Sequence, residues 1–301
     1  MAKQPNHKAI VLAHFGTTVP GALSALENVC NEVRESFPGI EVRISFTSNI
    51  IRRIWQKRRA DPQTWLDQGV SKEVLYCRSL LGTIGLLQDE GYRSIIVQPT
   101  HIFHGEQYED LRSVVNALGQ IRTVKARWMP FAKIVAGRPA LGTHGETRPY
   151  HEDIAEVAAA LQADVELARQ EEAALVYMGH GNETWSTGVF SELAATLRRR
   201  WPDVPVVMGM VEGWPGLEEV KEALAASGRR RVVLKPLMLS AGDHALNDMS
   251  GEDDDCWQKQ LEKLGYSVQP VLQGLGSRRE FAALYSRRIR QTARDHDIPL
   301  L

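Results

Sequence analysis

The feature that most constrains this chain is that it is written twice. "KAIVLAHFGTT" near the start is matched by "AALVYMGHGNET" past the middle, which sets Gly16 on Gly181 and Phe15 on His180. Farther along, "SFPGIEV" meets "RWPDVPV", and "GYRSIIVQPTHIFHGEQ" meets "GRRRVVLKPLMLSAGDH". The second match sets Pro99 on Pro236, Gly105 on Gly242 and Gln107 on His244. Anchors in the same order in both halves predict two similar lobes. His180 and His244 stand where the first copy has no histidine, so the halves share a scaffold and differ in chemistry. Such a pair predicts an active-site cleft between lobes, with reactive groups supplied mainly by the second.

Each copy alternates short apolar runs with amphipathic stripes. In the first, "AIVLAHF", "PGIEVRISFTS", "SIIVQPTHIF" and "VKARWMPFA" read as strands, and Leu23, Leu26, Val29, Val33 and Phe37 recur at helical spacing. Residues 51–90 read as helices broken by a loop around "RADPQTW". In the second, "AALVYMGH", "VPVVMGMVEG", "RRVVLKPLML" and "YSVQPVLQG" are the strands. Val189, Leu193, Leu197 and Trp201 mark a helix with Ser186 or Thr187 as its N-cap, and Ser250 with Asp253 resembles a capping box. Continuous apolar strands alternating with helices imply parallel sheets covered on both faces. The fold class is therefore α/β: two similar Rossmann-like lobes, residues 1–140 and 141–277. The closing helix, 278–301, is placed to return to the first lobe.

With 301 residues, 43% hydrophobic and 24% charged, the chain is an ordinary globular one, large enough for a core in each lobe. Its net charge of −1 gives no global field toward nucleic acid or a membrane surface. No apolar run approaches the roughly 20 residues that span a bilayer, and no secretory leader is visible. Cys30, Cys77 and Cys256 are widely spaced and form no CxxC pair, so reduced thiols in a cytoplasmic protein are expected. A homo-oligomer is compatible with all of this.

In open α/β sheets, ligands sit beyond the carboxyl ends of the strands. His180, between Gly179 and Gly181, and His244, in "LSAGDHALNDM", both fall there, as does Glu212 in "MVEGWPG". Glycine flanks let the chain turn and leave the imidazole exposed; either Asp243 or Asp248 could orient the His244 ring. Two imidazoles and a carboxylate from separate strand ends suit a divalent ion such as Co²⁺, Fe²⁺, Ni²⁺ or Zn²⁺. In the first copy His14, Thr17, Arg52, Arg53 and Gln107 occupy corresponding ends and are the candidates for holding substrate. Trp185 and Trp214 are candidates to stack on a flat ligand, with core packing as the alternative. His101 and His104, three apart, could take a stray metal or porphyrin, the less favoured reading.

The segments "AHFGTT", "QPTHIFHGEQYEDL", "VYMGHGNET" and "MLSAGDHALNDMSGEDDD" resemble the anaerobic-type cobalt chelatases of cobalamin biosynthesis, and the likeness runs along nearly the whole chain. That resemblance implies ATP-independent insertion of Co²⁺ into sirohydrochlorin, a tetrapyrrole. It implies a bilobal fold akin to protoporphyrin ferrochelatase, with His180 and His244 as metal ligands and proton acceptors and Glu212 beside them on the metal. Relatives carry an acid where this chain has Gln107, so a metal-binding role for that amide is not implied. The chain has no GxxxxGK[ST] loop, in keeping with a reaction that needs no nucleotide.

Three other readings stand beside this one. The same ligand set suits Fe²⁺ or Ni²⁺ insertion into the same macrocycle, as in a sirohaem-type ferrochelatase. A non-catalytic bilobal binder of metal or tetrapyrrole would hold its ligand without releasing pyrrole protons. A phosphohistidine-type phosphatase is suggested by "GHG", but the arginine expected before that histidine is Gly179.

Overall fold

The computed structural model describes residues 6–144 and 148–300; residues 145–147 of the crossover lie outside the described part. The chain divides into two compact units. One runs through Pro139 and resumes at Ala282; the other spans Ala140–Phe281.

The first unit holds β1 (His7–His14), β2 (Glu41–Phe46), β3 (Tyr92–Pro99) and β4 (Lys133–Ala136). All pairings are parallel, in the order β2-β1-β3-β4. The second holds β5 (Ala174–Gly181), β6 (Val206–Glu212), β7 (Arg231–Pro236) and β8 (Ser267–Pro270), parallel in the order β6-β5-β7-β8. The two orders are the same permutation, as the doubled sequence predicts. Pro99 and Pro236, matched in the repeat, are the last residues of β3 and β7.

Alternate residues on each inner strand feed one apolar layer. In the first unit Ala9, Val11, Ala13, Ile95 and Val97 pack against Leu80, Ile84, Leu87, Leu111 and Val115 of two helices. In the second, Ala174, Val176, Met178, Val232 and Leu234 meet Val220, Leu224, Trp257 and Leu261. Truncating such a buried leucine to alanine costs about 2–5 kcal/mol.

A different layer lies on the other face of the second sheet. Tyr177 and Lys235, cross-strand neighbours on β5 and β7, reach the fully buried Asp164 of helix Gln162–Gln170. The Tyr177 hydroxyl donates to the Asp164 carboxylate at 2.7 Å and the Lys235 ammonium lies 2.6 Å from it, with Arg278 as a third partner. Burial drives the Tyr177 hydroxyl well above the usual tyrosine range, and the Asp164 charge adds to it.

Three local expectations need correction. The fourth strand is not "VKARWMPFA" but Lys133–Ala136; Val124 and Trp128 are exposed, and Ala126–Trp128 is a 3₁₀ turn. Ser250 and Asp253 do not cap a helix. The next helix starts at Trp257, and the Ser250 hydroxyl donates to Gln258 at 2.5 Å. The "RADPQTW" loop is partly helical, because Asp61 caps a helix with Pro62 at its first position. The closing helix is Arg279–Asp295. Tyr285 on it donates to the Thr100 carbonyl at 2.9 Å, beside the end of β3.

Candidate functional site

The second sheet delivers three side chains from three adjacent strand ends. His180 is the penultimate residue of β5, Glu212 is the last of β6 and pairs with Gly181 in the ladder, and His244 follows β7. Gly181 makes this approach possible. Its φ is +75°, and a Cβ there would stand 1.9 Å from the Glu212 carbonyl oxygen. No other residue type tolerates both the conformation and the contact.

The two imidazoles meet edge to face, their centroids 4.7 Å apart and their planes at 88°. Their side chains are 37% and 35% exposed, so both rings are open to solvent. His180 Nδ1 lies 3.1 Å from the Gly181 carbonyl and 3.7 Å from the Glu212 carboxylate. A proton on Nδ1 answers both acceptors and puts the lone pair on Nε2.

His244 begins a five-residue π-helix, Ala245–Met249. One turn on, Asp248 Oδ2 stands 2.6 Å from His244 Nδ1. Of the two acids the sequence offered as orienters, this contact selects Asp248. Asp243 instead accepts from Asn247 at 3.0 Å. A carboxylate on Nδ1 fixes the ring and its tautomer and turns Nε2 outward as a ligand. π-turns of this kind gather at functional sites.

Among the described residues, no three His, Cys, Asp or Glu side chains form a ready-made metal cage. The arrangement is a ring pair with one carboxylate beside each ring. It can present two imidazole nitrogens to a divalent ion and leave the ion's remaining positions open.

The first unit treats its candidates differently. His14, the last residue of β1, is fully buried. Its Nδ1 lies 2.9 Å from Thr100 Oγ1, its Nε2 3.6 Å from Cys30 Sγ, and the Thr100 hydroxyl donates to the Ala13 carbonyl. Neutral His14 protonated on Nδ1 satisfies all three. Burial, with His101 nearby, pushes its pKa down to about 3, and burial lifts the Cys30 thiol to about 12. A sealed, partnered ring cannot touch a substrate, so that expectation is corrected. The same holds for Thr17, which is 4% exposed and accepts from the Val19 N–H at 3.2 Å.

Arg52 is half-buried and spends its guanidinium on the carbonyls of Phe46 and Thr47 and on Asn49, so it holds the end of β2 together. Arg53 is exposed on helix Asn49–Arg58, and Gln107 is half-buried in the first turn of helix Glu106–Gly119. His104 pairs with Glu109 at 3.0 Å, while His101, lowered to about 4 by burial, lies 3.4 Å from the Thr47 hydroxyl.

Comparison with known proteins bears on this arrangement. A family model described as cobalt chelatase (CbiK) matches residues 8–294. The chain is 32% identical over 278 residues to the sirohydrochlorin cobaltochelatase CbiKC of Nitratidesulfovibrio vulgaris, covering 92% of this chain and 88% of that one. It is 28% identical over 286 residues to the sirohydrochlorin cobaltochelatase of Salmonella typhimurium, covering 94% and 96%. In fold it resembles the cobalt complex of the sirohydrochlorin chelatase SirB from Bacillus subtilis subspecies spizizenii. The TM-score there is 0.61 at 14% identity, over 97% of each chain. It also resembles CbiX, described as the terminal enzyme of sirohaem biosynthesis in denitrifying bacteria, with a TM-score of 0.51 at 14% identity over 95% and 99%.

Proposed function

We propose, from the premise that this chain belongs to the CbiK cobalt chelatase family, that it inserts Co²⁺ into sirohydrochlorin without a nucleotide. The observation that carries this reading is the pair of open imidazoles 4.7 Å apart at neighbouring strand ends, each with a carboxylate at its side. The relatives named for this reaction support it.

Insertion must strip water from the ion, hold it against the macrocycle and remove two pyrrole protons. His180 and His244 take Co²⁺ through Nε2 and replace part of its hydration shell. The two imidazoles, with Glu212 beside His180 as the third candidate ligand, hold the ion without trapping it, as a closed set of four would. As the four ring nitrogens take over the ion, each imidazole regains a lone pair and accepts one N–H proton. Both rings then carry charge. Glu212 lies 3.7 Å from His180 and Asp248 lies 2.6 Å from His244, and these anions stabilise the two imidazolium ions at the moment they form. Loss of both protons to solvent restores the site.

The same ligands accept Fe²⁺ and Ni²⁺, because affinity in such a site follows the ion's own order. An absorbance assay of sirohydrochlorin with Co²⁺, Fe²⁺ or Ni²⁺, each against an enzyme-free control, tests the reading. The enzyme is expected to accelerate Co²⁺ insertion; a bound but unmetallated macrocycle would instead make the protein a carrier.

A further inference from the structure

Two tryptophans stand on the loops that follow His180 and Glu212. Trp214 follows Glu212 by two residues and is 65% exposed; Trp185, on the loop after His180, is 38% exposed. A covered indole buries about 150–250 Å², and at about 25 cal/mol per Å² that is several kcal/mol forgone in water. Single exposed side chains are common and carry little meaning. Trp214 differs because it is held.

Its carbonyl accepts from the Thr187 hydroxyl, at the foot of the neighbouring loop, and the Pro215 carbonyl accepts from Met210 N at 2.7 Å. Glu219, in the first turn of helix Leu217–Ser227, accepts from Gly216 N at 2.7 Å and also from the Trp214 side chain. The backbone donors of Gly216 and Glu219, with the indole, keep the Glu219 carboxyl below its usual range. The indole has one donor, its ring N–H, so this contact tethers one edge of a side chain that is otherwise largely exposed. The adjoining loop is set as well, since Asn182 Oδ1 accepts from Thr184 N at 2.8 Å and Trp185 N at 2.7 Å. A tethered edge on an exposed indole is an arrangement suited to stacking.

We infer that Trp214 is a platform on which the apolar face of the tetrapyrrole rests beside His180 and His244. This rests on the chelatase reading. The macrocycle is flat and its charges lie at its rim, so an indole face can cover its centre without desolvating a carboxylate. Stacking there fixes the plane of the ring relative to the two imidazoles and so sets which side receives the ion. Trp214 acts in binding and orientation and takes no proton.

The test uses the full chain without metal. Sirohydrochlorin is titrated anaerobically into the wild type, W214A, W214F and W185F, with melting temperatures compared first. Binding is read from ligand absorbance and protein emission, and initial rates with Co²⁺ follow. W214A is expected to raise Kd and KM about tenfold, the scale of one base stacked on an aromatic side chain, with kcat little changed. W214F is expected to restore most of the loss, because the ring and not the N–H does the stacking. Unchanged Kd and KM in W214A, alongside normal Co²⁺ insertion by the wild type, would overturn the platform and leave the chelatase reading standing. A W214F as weak as W214A would also overturn it, assigning the effect to the Glu219 tether. A wild type that binds sirohydrochlorin but never metallates it would defeat the chelatase reading instead, and the binding series would still decide the platform.

Discussion

The carboxyl ends of β1 and β5 are matched in the sequence repeat and occupy the same place in two sheets of the same order, yet one is closed and the other open. In the first unit a histidine arrives one residue early. His14 turns under the sheet onto Cys30 and Thr100, and Phe15, 41% exposed, takes the outward position. In the second unit His180 holds that outward position. Side chains alternate between the faces of a strand, so a shift of one residue decides whether an imidazole is a core group or a ligand. The glycines that follow tell the same story. Gly16 has φ +100°, and a Cβ on it would meet the Phe46 ring at 2.9 Å; Gly181 sits against the Glu212 backbone instead. An aromatic lid covers one end, and a carboxylate borders the other.

The sharpest way to break this contrast is to remove the outward rings. His180→Ala or His244→Ala is expected to lower the rate of Co²⁺ insertion by roughly 100-fold or more, about 2.7 kcal/mol of barrier, with the melting temperature unchanged. Near-normal turnover in both variants would place the chemistry elsewhere.

The buried ring makes the opposite prediction, on stability. His14 is neutral when folded, with its pKa lowered to about 3, and ionises near 6.5 when unfolded. Between those values the unfolded chain binds the extra proton, so stability rises with pH in that window and falls as pH drops below about 6.5. By pH 5 the loss is on the order of 2 kcal/mol. Chemical denaturation from pH 7.5 to 5 should show this slope, and His14→Gln should flatten it without the collapse of activity expected for His180→Ala. A slope that survives in His14→Gln would assign it to other groups.

The smallest effect sharpens the second lobe itself. Asp248→Asn keeps the shape beside His244 but removes the anion that orients the ring. Loss of such a partner weakens metal affinity by about 10-fold or somewhat more, measurable by calorimetric Co²⁺ titration. Asp243→Asn, at the other acid, should change it little.

Much of this could be read from the chain alone. Apolar β-branched runs located seven of eight strands, because the inner parallel strands, buried on both faces, leave a continuous signature. The exception, β4, is a four-residue edge strand with the longer, aromatic "VKARWMPFA" just before it, whereas the equally short β8 lay inside the longer apolar run "YSVQPVLQG". His180 was legible from its glycine flanks, and His244 from the Gly-Asp turn before it and its match in the repeat. His14 was not separable from them by type or position, since the face a strand residue takes depends on register with neighbours far along the chain. Asp248 could be narrowed to two acids but not chosen, because the choice turns on a π-turn with no local sequence signal. The tether from Trp214 to Glu219 joins a loop to a helix start and left no motif.

Asp164 is fully buried and binds three partners: Tyr177, Lys235 and Arg278. Losing one member of a buried ion pair strands the other, at about 3–5 kcal/mol. Stepwise drift at these positions is therefore blocked, since every single-substitution intermediate is worse than either endpoint. Across descendants of this chain the aspartate, the lysine and the arginine should be inherited together or be exchanged together for apolar residues.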